Sequence, residues 1–478
     1  MADIEKFITG FKTKVIAPAG HGKTHFIADC VKYAYEHNKG KQLILTHTHA
    51  GVASIKSKLL KQGVQPSAYN VETICGYAQK YVLGFMGNQV PEQKTPGFYD
   101  IIIEKATELF SKRPIIEIIK KTYTGIFIDE YQDCTLKQHN MLMSLKDTIP
   151  IHVLGDPLQG IFDFREETLV NFDRDLVDFS DVAGTLETPW RWETNGNNPK
   201  LGESIKELRR YIETNAVIDL SINKPGISFI QSSGDIYRDA LYRSRLLRLA
   251  NAHDNILIID NGQIKQRQKL RNSLGLQQFQ LIEAIDDRDF YTISSKLDEL
   301  CTSESQFLLF KEICETFLFN KTDIDKWFNL TGLKSKRNPS DIEKYNLLKP
   351  HIEKLQNNCI DKHSLHCVIK FMKDELKLKY QRPELVMAVI KALKDAAIHN
   401  VSICDSMDAY KNKIRQAGRN LHNKCIGSTL LTKGLEFDSV IVLDAHVMDR
   451  KNFYVAISRA CKTLTIFSGS CTLNFGAQ

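Results

Sequence analysis

The sequence predicts an α/β fold built on parallel, doubly wound sheets, with an all-helical insertion late in the chain. Short apolar runs of strand length recur, each ending in a glycine-containing or acidic turn. From 296 to about 415 the pattern changes to helical periodicity with few glycines and charged faces, as in Glu384 to Ala397.

Length and composition suit such a fold. At 478 residues the chain exceeds one ordinary hydrophobic core, and scaling suggests roughly three domains. Hydrophobic residues make up 42% and charged residues 25%, which excludes disordered and collagen-like classes. Lysine plus arginine number 64 against 57 acidic residues, so the net charge is +7. That excess hints at a polyanionic partner but is too small for a histone-like binder, so any nucleic-acid groove must be local. The first residues, Met1-Ala-Asp-Ile-Glu-Lys6, lack a charged region leading into an apolar one, and no run approaches the roughly 18 apolar residues needed to cross a bilayer. The expectation is a soluble, cytoplasmic protein. The 11 cysteines contain no C-x-x-C pair and fit reduced thiols better than a disulfide framework.

In chain order, Thr13 to Ile16 reads as a strand, Ala17 to Gly22 as a loop, the stretch ending near Gly40 as a helix and Gln42 to Leu45 as a second strand. Gly125 to Ile128 and Ile151 to Leu154 are further strands with acidic residues at their carboxyl ends, where parallel sheets place ligands. Residues 192 to 290 mix both patterns, including Asn255-Ile-Leu-Ile-Ile-Asp260 and the basic helical run Lys265 to Leu274. Strand-like runs return at Ser439 to Asp444 and Leu464 to Ser468, completing the second α/β domain. The predicted domains are therefore 1–190, 191–295, the helical insertion 296–415, and the completion 416–478.

The loop Ala17-Pro-Ala-Gly-His-Gly-Lys-Thr24 has the ending of a phosphate-binding P-loop, with Ala17 where the first glycine usually stands. Gly20 and Gly22 let the amides of Ala19, Gly20, His21 and Gly22 turn inward on phosphate, Lys23 reaches the β and γ phosphates, and Thr24 offers a hydroxyl to Mg2+. In Ile126-Phe-Ile-Asp-Glu-Tyr-Gln-Asp133 two adjacent carboxylates end a strand: Asp129 to hold Mg2+, Glu130 to polarise the water that attacks the γ phosphorus. Together the two motifs predict ATP hydrolysis.

Asp129-Glu-Tyr-Gln-Asp133 resembles motif II of UvrD/Rep-type superfamily-one DNA helicases, and further motifs follow in that family's order. Gly155 to Arg165 resembles motif III, Leu186-Glu-Thr-Pro-Trp-Arg191 motif IV, Ser428 to Asp438 motif V, and Tyr454-Val-Ala-Ile-Ser-Arg-Ala460 motif VI. Thr46 to Ala50 and Thr73 to Tyr77 are similar to weaker forms of motifs Ia and Ib. The resemblance implies two RecA-like P-loop NTPase domains with ATP and Mg2+ between them, and movement along single-stranded DNA from 3′ to 5′. It implies that Gln159 senses the γ phosphate and that Arg191 and Arg459 neutralise transition-state charge, a task suited to a fixed fork of donors. Trp190 stands at the position that stacks on adenine, and Glu436 at the one that meets the ribose. Thr48, His49, Tyr77, Phe162 and Phe164 fall near the DNA strand, where stacking of a base on an aromatic ring is indifferent to sequence. Any one of these residues alone reads more simply as a core aromatic or a surface charge. The order of the motifs decides otherwise.

Three departures qualify the resemblance. The first 22 residues contain no glutamine for an adenine-reading Q motif. Only 51 residues separate Tyr77 from Asp129, where larger relatives fit an accessory domain. Cys75 and Leu430 replace histidines. The compact build also resembles the helicase-like component of Gabija anti-phage systems, which works beside an OLD-family nuclease, so the alternative expectation is a regulatory ATPase subunit with a nuclease partner. One constellation lies outside these motifs: Cys359, His363, His366 and Cys367 fall at helical spacing, but one helix rarely surrounds a tetrahedral zinc ion.

Overall fold

The computed structural model describes residues 4–87, 97–161, 168–181, 186–193, 197–232, 236, 239–276, 278–283, 288–417 and 421–475. By compactness the chain divides into one unit of Met1–Asn261, Gln416–Gly418 and Thr432–Gln478 and a second of Gly262–Arg415 and Arg419–Leu431.

The strands are β1 (Lys12–Ile16), β2 (Gln42–Thr46), β3 (Tyr69–Thr73), β4 (Gly125–Ile128), β5 (Ile151–Gly155), β6 (Ser180–Asp181), β7 (Ile218–Asp219), β8 (Ile227–Gln231), β9 (Ile256–Ile259), β10 (Gln280–Leu281), β11 (Lys424–Gly427), β12 (Phe437–Val442), β13 (Ala460–Ser468) and β14 (Thr472–Leu473). The first sheet of the first unit runs in the order β3-β2-β4-β5-β1-β6, parallel throughout.

Its central strands β2, β4 and β5 are buried end to end and largely apolar because both faces are covered. Leu43, Leu45, Ile126, Ile128, Ile151 and Val153 pack into one core with Tyr77, Ile102, Phe110 and Leu142. The alternate residues Ile44, Phe127 and Leu154 join Val15 on the opposite face against Phe26, Ile27, Val31 and Leu59. That two-residue alternation is the pleat of the strand. Helices leave the carboxyl ends of β2 and β3 through hydroxyl caps: Thr48 Oγ1 accepts from the Gly51 amide at 3.0 Å, and Thr73 Oγ1 from the Gly76 amide at 3.0 Å.

The same unit holds β9, β12, β13 and β8 side by side, again parallel, and an antiparallel pair, β7 with β14. The mixed α/β class with parallel sheets is the architecture that the strand-length apolar runs predicted.

In the second unit β10 pairs with β11 in parallel. From residue 288 onward this unit is mainly helical among the described residues, with the helices Arg288–Leu300, Gln306–Ile313, Lys321–Trp327, Pro339–Gln356, Lys362–Asp374 and Pro383–His399 and most of Ile403–Ala417. Their core is aliphatic and aromatic, from Phe290 and Phe310 to Leu393 and Met407.

Cys359 lies before the helix Lys362–Asp374 rather than on it, which breaks the single face expected of Cys359, His363, His366 and Cys367. His366 Nδ1 is 2.9 Å from the Ile390 carbonyl, and Cys367 Sγ is 3.7 Å from His363 Nε2. Among the described residues no group of three or more such ligands is placed to hold a metal ion. The 11 cysteines are free thiols, and no described helix is long and apolar enough to cross a membrane.

Candidate active site

Strand β1 ends at Ile16, and the next residues turn before the helix Lys23–Glu36. The turn depends on glycine twice, since Gly20 (φ 74°) and Gly22 (φ 84°) are left-handed. They also admit a close neighbour: a Cβ on Gly20 would sit 2.8 Å from Arg191 Cβ, and one on Gly22 3.0 Å from the Trp190 ring. Arg191 N–H donates to the Gly20 carbonyl at 3.1 Å. The loop and the short helix Trp190–Glu193 thus form one surface.

Lys23 is nearly enclosed and donates to the carbonyls of Ala17 at 2.8 Å and Pro18 at 3.1 Å. Thr24 Oγ1 donates to Asp129 Oδ2 at 3.1 Å. A hydroxyl and a carboxylate so close make a hard-oxygen pair of the kind Mg2+ takes. His21 is 4% exposed with Nδ1 2.9 Å from the Ala19 carbonyl. Burial, reinforced by Lys23 and Arg209, lowers its pKa to about 4, so its ring is neutral.

After β4 the carboxylates Asp129 and Glu130 are adjacent. Glu130 has a left-handed backbone, φ 56°, which costs a non-glycine residue on the order of 1 kcal/mol. The turn aims its side chain at the Gln132 amide, which donates to it, while Gln132 Oε1 accepts from the Asp156 amide at 2.9 Å. Burial raises Asp129 to about 6, helped by the charge of Glu130. Burial also opposes the charge of Glu130, but Lys23 and Lys433 outweigh it and hold this carboxyl below its usual range. Of the pair, Glu130 is the better stabilised anion.

Asp156, fully buried after β5, accepts from Gln159 Nε2 at 3.0 Å and from Arg209 at 2.7 Å. Gln159 Oε1 accepts from Arg459 at 3.3 Å, and the Gln159 carbonyl accepts from Lys433 Nζ at 2.6 Å. Lys433 also pairs with Asp133, at 2.6 Å from Oδ2. Arg459 is 1% exposed and donates to the carbonyls of Val455 at 2.9 Å and Leu435 at 3.3 Å and to Ser458 Oγ at 2.8 Å. Burial and the charge of Arg191 lower its pKa to about 10. Arg191 donates to the Ser458 carbonyl and to Glu436 Oε1 at 2.7 Å.

The structure therefore brings Lys23, Thr24, Asp129, Glu130, Gln159, Arg191, Glu436 and Arg459 to the carboxyl edge of one sheet and the elements beside it. Trp190, 52% exposed, stands against Gly22.

The residues expected along DNA divide. Thr48 and His49 are exposed at the end of β2. Tyr77 is fully buried, packed on Tyr81, Phe110 and Tyr123, so it offers no face to a base. This corrects its assignment to a stacking position: the ring belongs to the core behind the first sheet. Phe162 and Phe164 lie outside the described residues.

Sequence reasoning missed Arg209, which joins Asp156 to the Tyr454 hydroxyl. A signal was present. In the helix Pro199–Glu213 the apolar stripe runs Leu201, Ile205, Leu208, Ile212, and Arg209 is a cation four residues after Ile205, on the buried side.

Residues 78–180 match the family model of the UvrD/REP helicase N-terminal domain. The Gabija protein GajB of Bacillus cereus (strain VD045) is 26% identical over 197 residues, covering 33% of this chain and 39% of that protein. RecBCD enzyme subunit RecB of Buchnera aphidicola subsp. Acyrthosiphon pisum (strain APS) is 27% identical over 179 residues, 36% of this chain and 15% of RecB. The ATP-dependent DNA helicase PcrA of Staphylococcus aureus (strain Mu50 / ATCC 700699) is 21% identical over 470 residues, covering 79% of this chain and 59% of PcrA. Each match spans less than two thirds of the relative's length. Among solved structures, the Pif1 helicase from Candida albicans aligns at TM-score 0.41 and 12% identity, covering 98% of this chain and 94% of that one.

Proposed function

We infer that this chain, a UvrD/Rep-like superfamily-one helicase, hydrolyses ATP to move along single-stranded DNA, from 3′ to 5′. What carries the reading is one cluster. Lys23, Thr24, Asp129 and Glu130 from the first sheet meet Arg191 and Arg459 from elements flanking the second, through Gly20, Gln159 and Ser458.

Each group has work suited to its chemistry. Thr24 and Asp129 would hold Mg2+, and Lys23 would leave its two carbonyl partners for the β and γ phosphates. Glu130, the stabilised anion, would orient and deprotonate the attacking water. Gln159 would register the γ phosphate, while Arg191 and Arg459 would neutralise charge as it spreads over the phosphoryl oxygens. Trp190 would stack on the base, and Glu436 would meet the ribose once freed from Arg191. In domain terms, 1–190 would be the first RecA-like domain, 191–295 with 416–478 the second, and 296–415 a helical insertion. Thr48 and His49 remain on the DNA path.

A nuclease partner is the second reading. It is favoured by the similarity to GajB, a Gabija protein, and to RecB, a subunit of the RecBCD enzyme. In that setting the ATPase would regulate the partner in anti-phage defence.

Steady-state ATP hydrolysis with no nucleic acid, with single-stranded DNA, with duplex DNA and with single-stranded RNA separates the two. Strong stimulation by single-stranded DNA supports the motor, and a strand-displacement assay on tailed duplexes then reads polarity. Turnover indifferent to every nucleic acid contradicts it and turns the search to a partner.

A further inference from the structure

We propose that Tyr454 is a phosphate-binding residue, which donates its hydroxyl proton to the terminal phosphate of a bound nucleoside triphosphate while Arg209 and Asp156 position it. The proposal rests on the ATPase reading above and adds to it a residue that distinguishes triphosphate from diphosphate.

The hydroxyl of Tyr454 is buried, with the residue 1% exposed, and touches the phosphate loop directly: the Ala19 amide donates to it at 3.0 Å. Arg209 donates to the same oxygen at 2.6 Å. Both contacts use the oxygen as acceptor. A phenol also carries one proton to donate, and among the described residues it makes no hydrogen bond as a donor. An enclosed donor with nothing to receive its proton is costly, so a site that keeps one has an acceptor to meet. Beside the Ala19 amide, that acceptor is a phosphate oxygen.

The surroundings fix which phosphate. Arg209 spans from the phenol to Asp156, at 2.6 and 2.7 Å, and Asp156 accepts from Gln159, the residue linked to Arg459. The hydroxyl is thus wired to the groups assigned to the γ phosphate rather than to Trp190 and Glu436 at the base and ribose. Burial and nearby Asp156 raise the phenol pKa, which keeps the proton in place at neutral pH. Arg209 is held from behind by Glu213 at 2.7 Å, and its guanidinium lies 4.9 Å from the centre of the Tyr454 ring. It touches no substrate in this scheme and is a positioning residue.

The test uses the full chain with Mg2+. Affinity for a fluorescent ADP is measured directly, and affinity for ATPγS by competition, in wild type, Tyr454→Phe, Arg209→Gln and Arg209→Lys. Tyr454→Phe loses about tenfold in ATPγS affinity, the weight of one hydrogen bond to a charged group, with ADP within about twofold of wild type. Arg209→Gln gives the same ATPγS-selective loss, and Arg209→Lys recovers part of it. Tyr454→Phe binding ATPγS like wild type, or losing ATPγS and ADP equally, overturns the proposal and leaves the ATPase reading intact. A wild-type chain that binds neither nucleotide overturns both.

Discussion

The ends of the first sheet and the core of helices 288–417 bury very different things. In the helices the interior is aliphatic and aromatic, Phe290, Phe310, Leu355, Leu365, Leu385 and Leu393 among others, and a buried ion pair, Arg382 with Glu283 at 3.1 Å, sits at the margin. At the sheet ends Asp129, Asp133, Asp156, Arg209 and Arg459 are all less than 10% exposed, and Glu130 holds a strained backbone. Buried charge stabilises poorly, because desolvation consumes most of what pairing returns. A region that concentrates it is suited to charge that arrives later, which under the proposed function is the phosphates and their cation. The contrast predicts that variants of the helical core lose stability and keep chemistry, whereas variants at the sheet ends lose chemistry and keep or gain stability.

The largest effect belongs to the carboxylate. Glu130→Gln is expected to lower ATP turnover by about 10³-fold or more while nucleotide binding survives, which an ATPase assay beside an equilibrium binding measurement checks. Arg459→Ala follows, with a loss of about 10³-fold in turnover and near-normal nucleotide affinity. Leu393→Ala should cost about 2–5 kcal/mol in urea unfolding and leave turnover per folded molecule unchanged, so a parallel loss of turnover would break the comparison.

Glu130→Gly should be about 1 kcal/mol more stable than Glu130→Gln, since both lose the charge and only glycine relieves the left-handed backbone, and both should abolish turnover. The smallest effect concerns acid. Burial lowers the folded-state pKa of His21 from 6.5 to about 4, so the unfolded chain binds the extra proton between those values. Its stabilising contribution is present above pH 6.5 and is lost as pH falls toward 4. His21→Ser should therefore become more stable relative to wild type over that window, read as the difference in unfolding midpoints.

Much of the fold was legible because its signals are local. The runs Gly125 to Ile128, Ile151 to Leu154 and Gln42 to Leu45 match β4, β5 and β2 to within a residue, since strands buried on both faces are mostly apolar. Strand β3 escaped notice. At the sheet edge its residues Tyr69-Asn-Val-Glu-Thr73 are only alternately buried, so the run is never continuously apolar. The helix Lys23–Glu36 ends at Glu36 rather than near Gly40, because Gly40, left-handed, closes the turn after the helix, not the helix itself.

At the site, the spaced motifs named residues that the fold does bring together, Thr24 with Asp129 and Gln159 with Arg459 among them. Tyr77 could not be read this way, because an aromatic in an apolar helix carries no mark of which side it faces until the helix packs. Arg209 lies in no motif, and its partners Asp156 and Tyr454 stand 53 and 245 residues away in sequence.

The central claim is that groups from both sheets complete one ATP-hydrolysing site. It is tested most directly by steady-state phosphate release, with saturating single-stranded DNA, from wild type, Glu130→Gln and Arg459→Ala. DNA-stimulated turnover in the wild type and near-complete loss in both variants, each still binding ATP, is the predicted result. Arg459→Ala turning over ATP at the wild-type rate would contradict it.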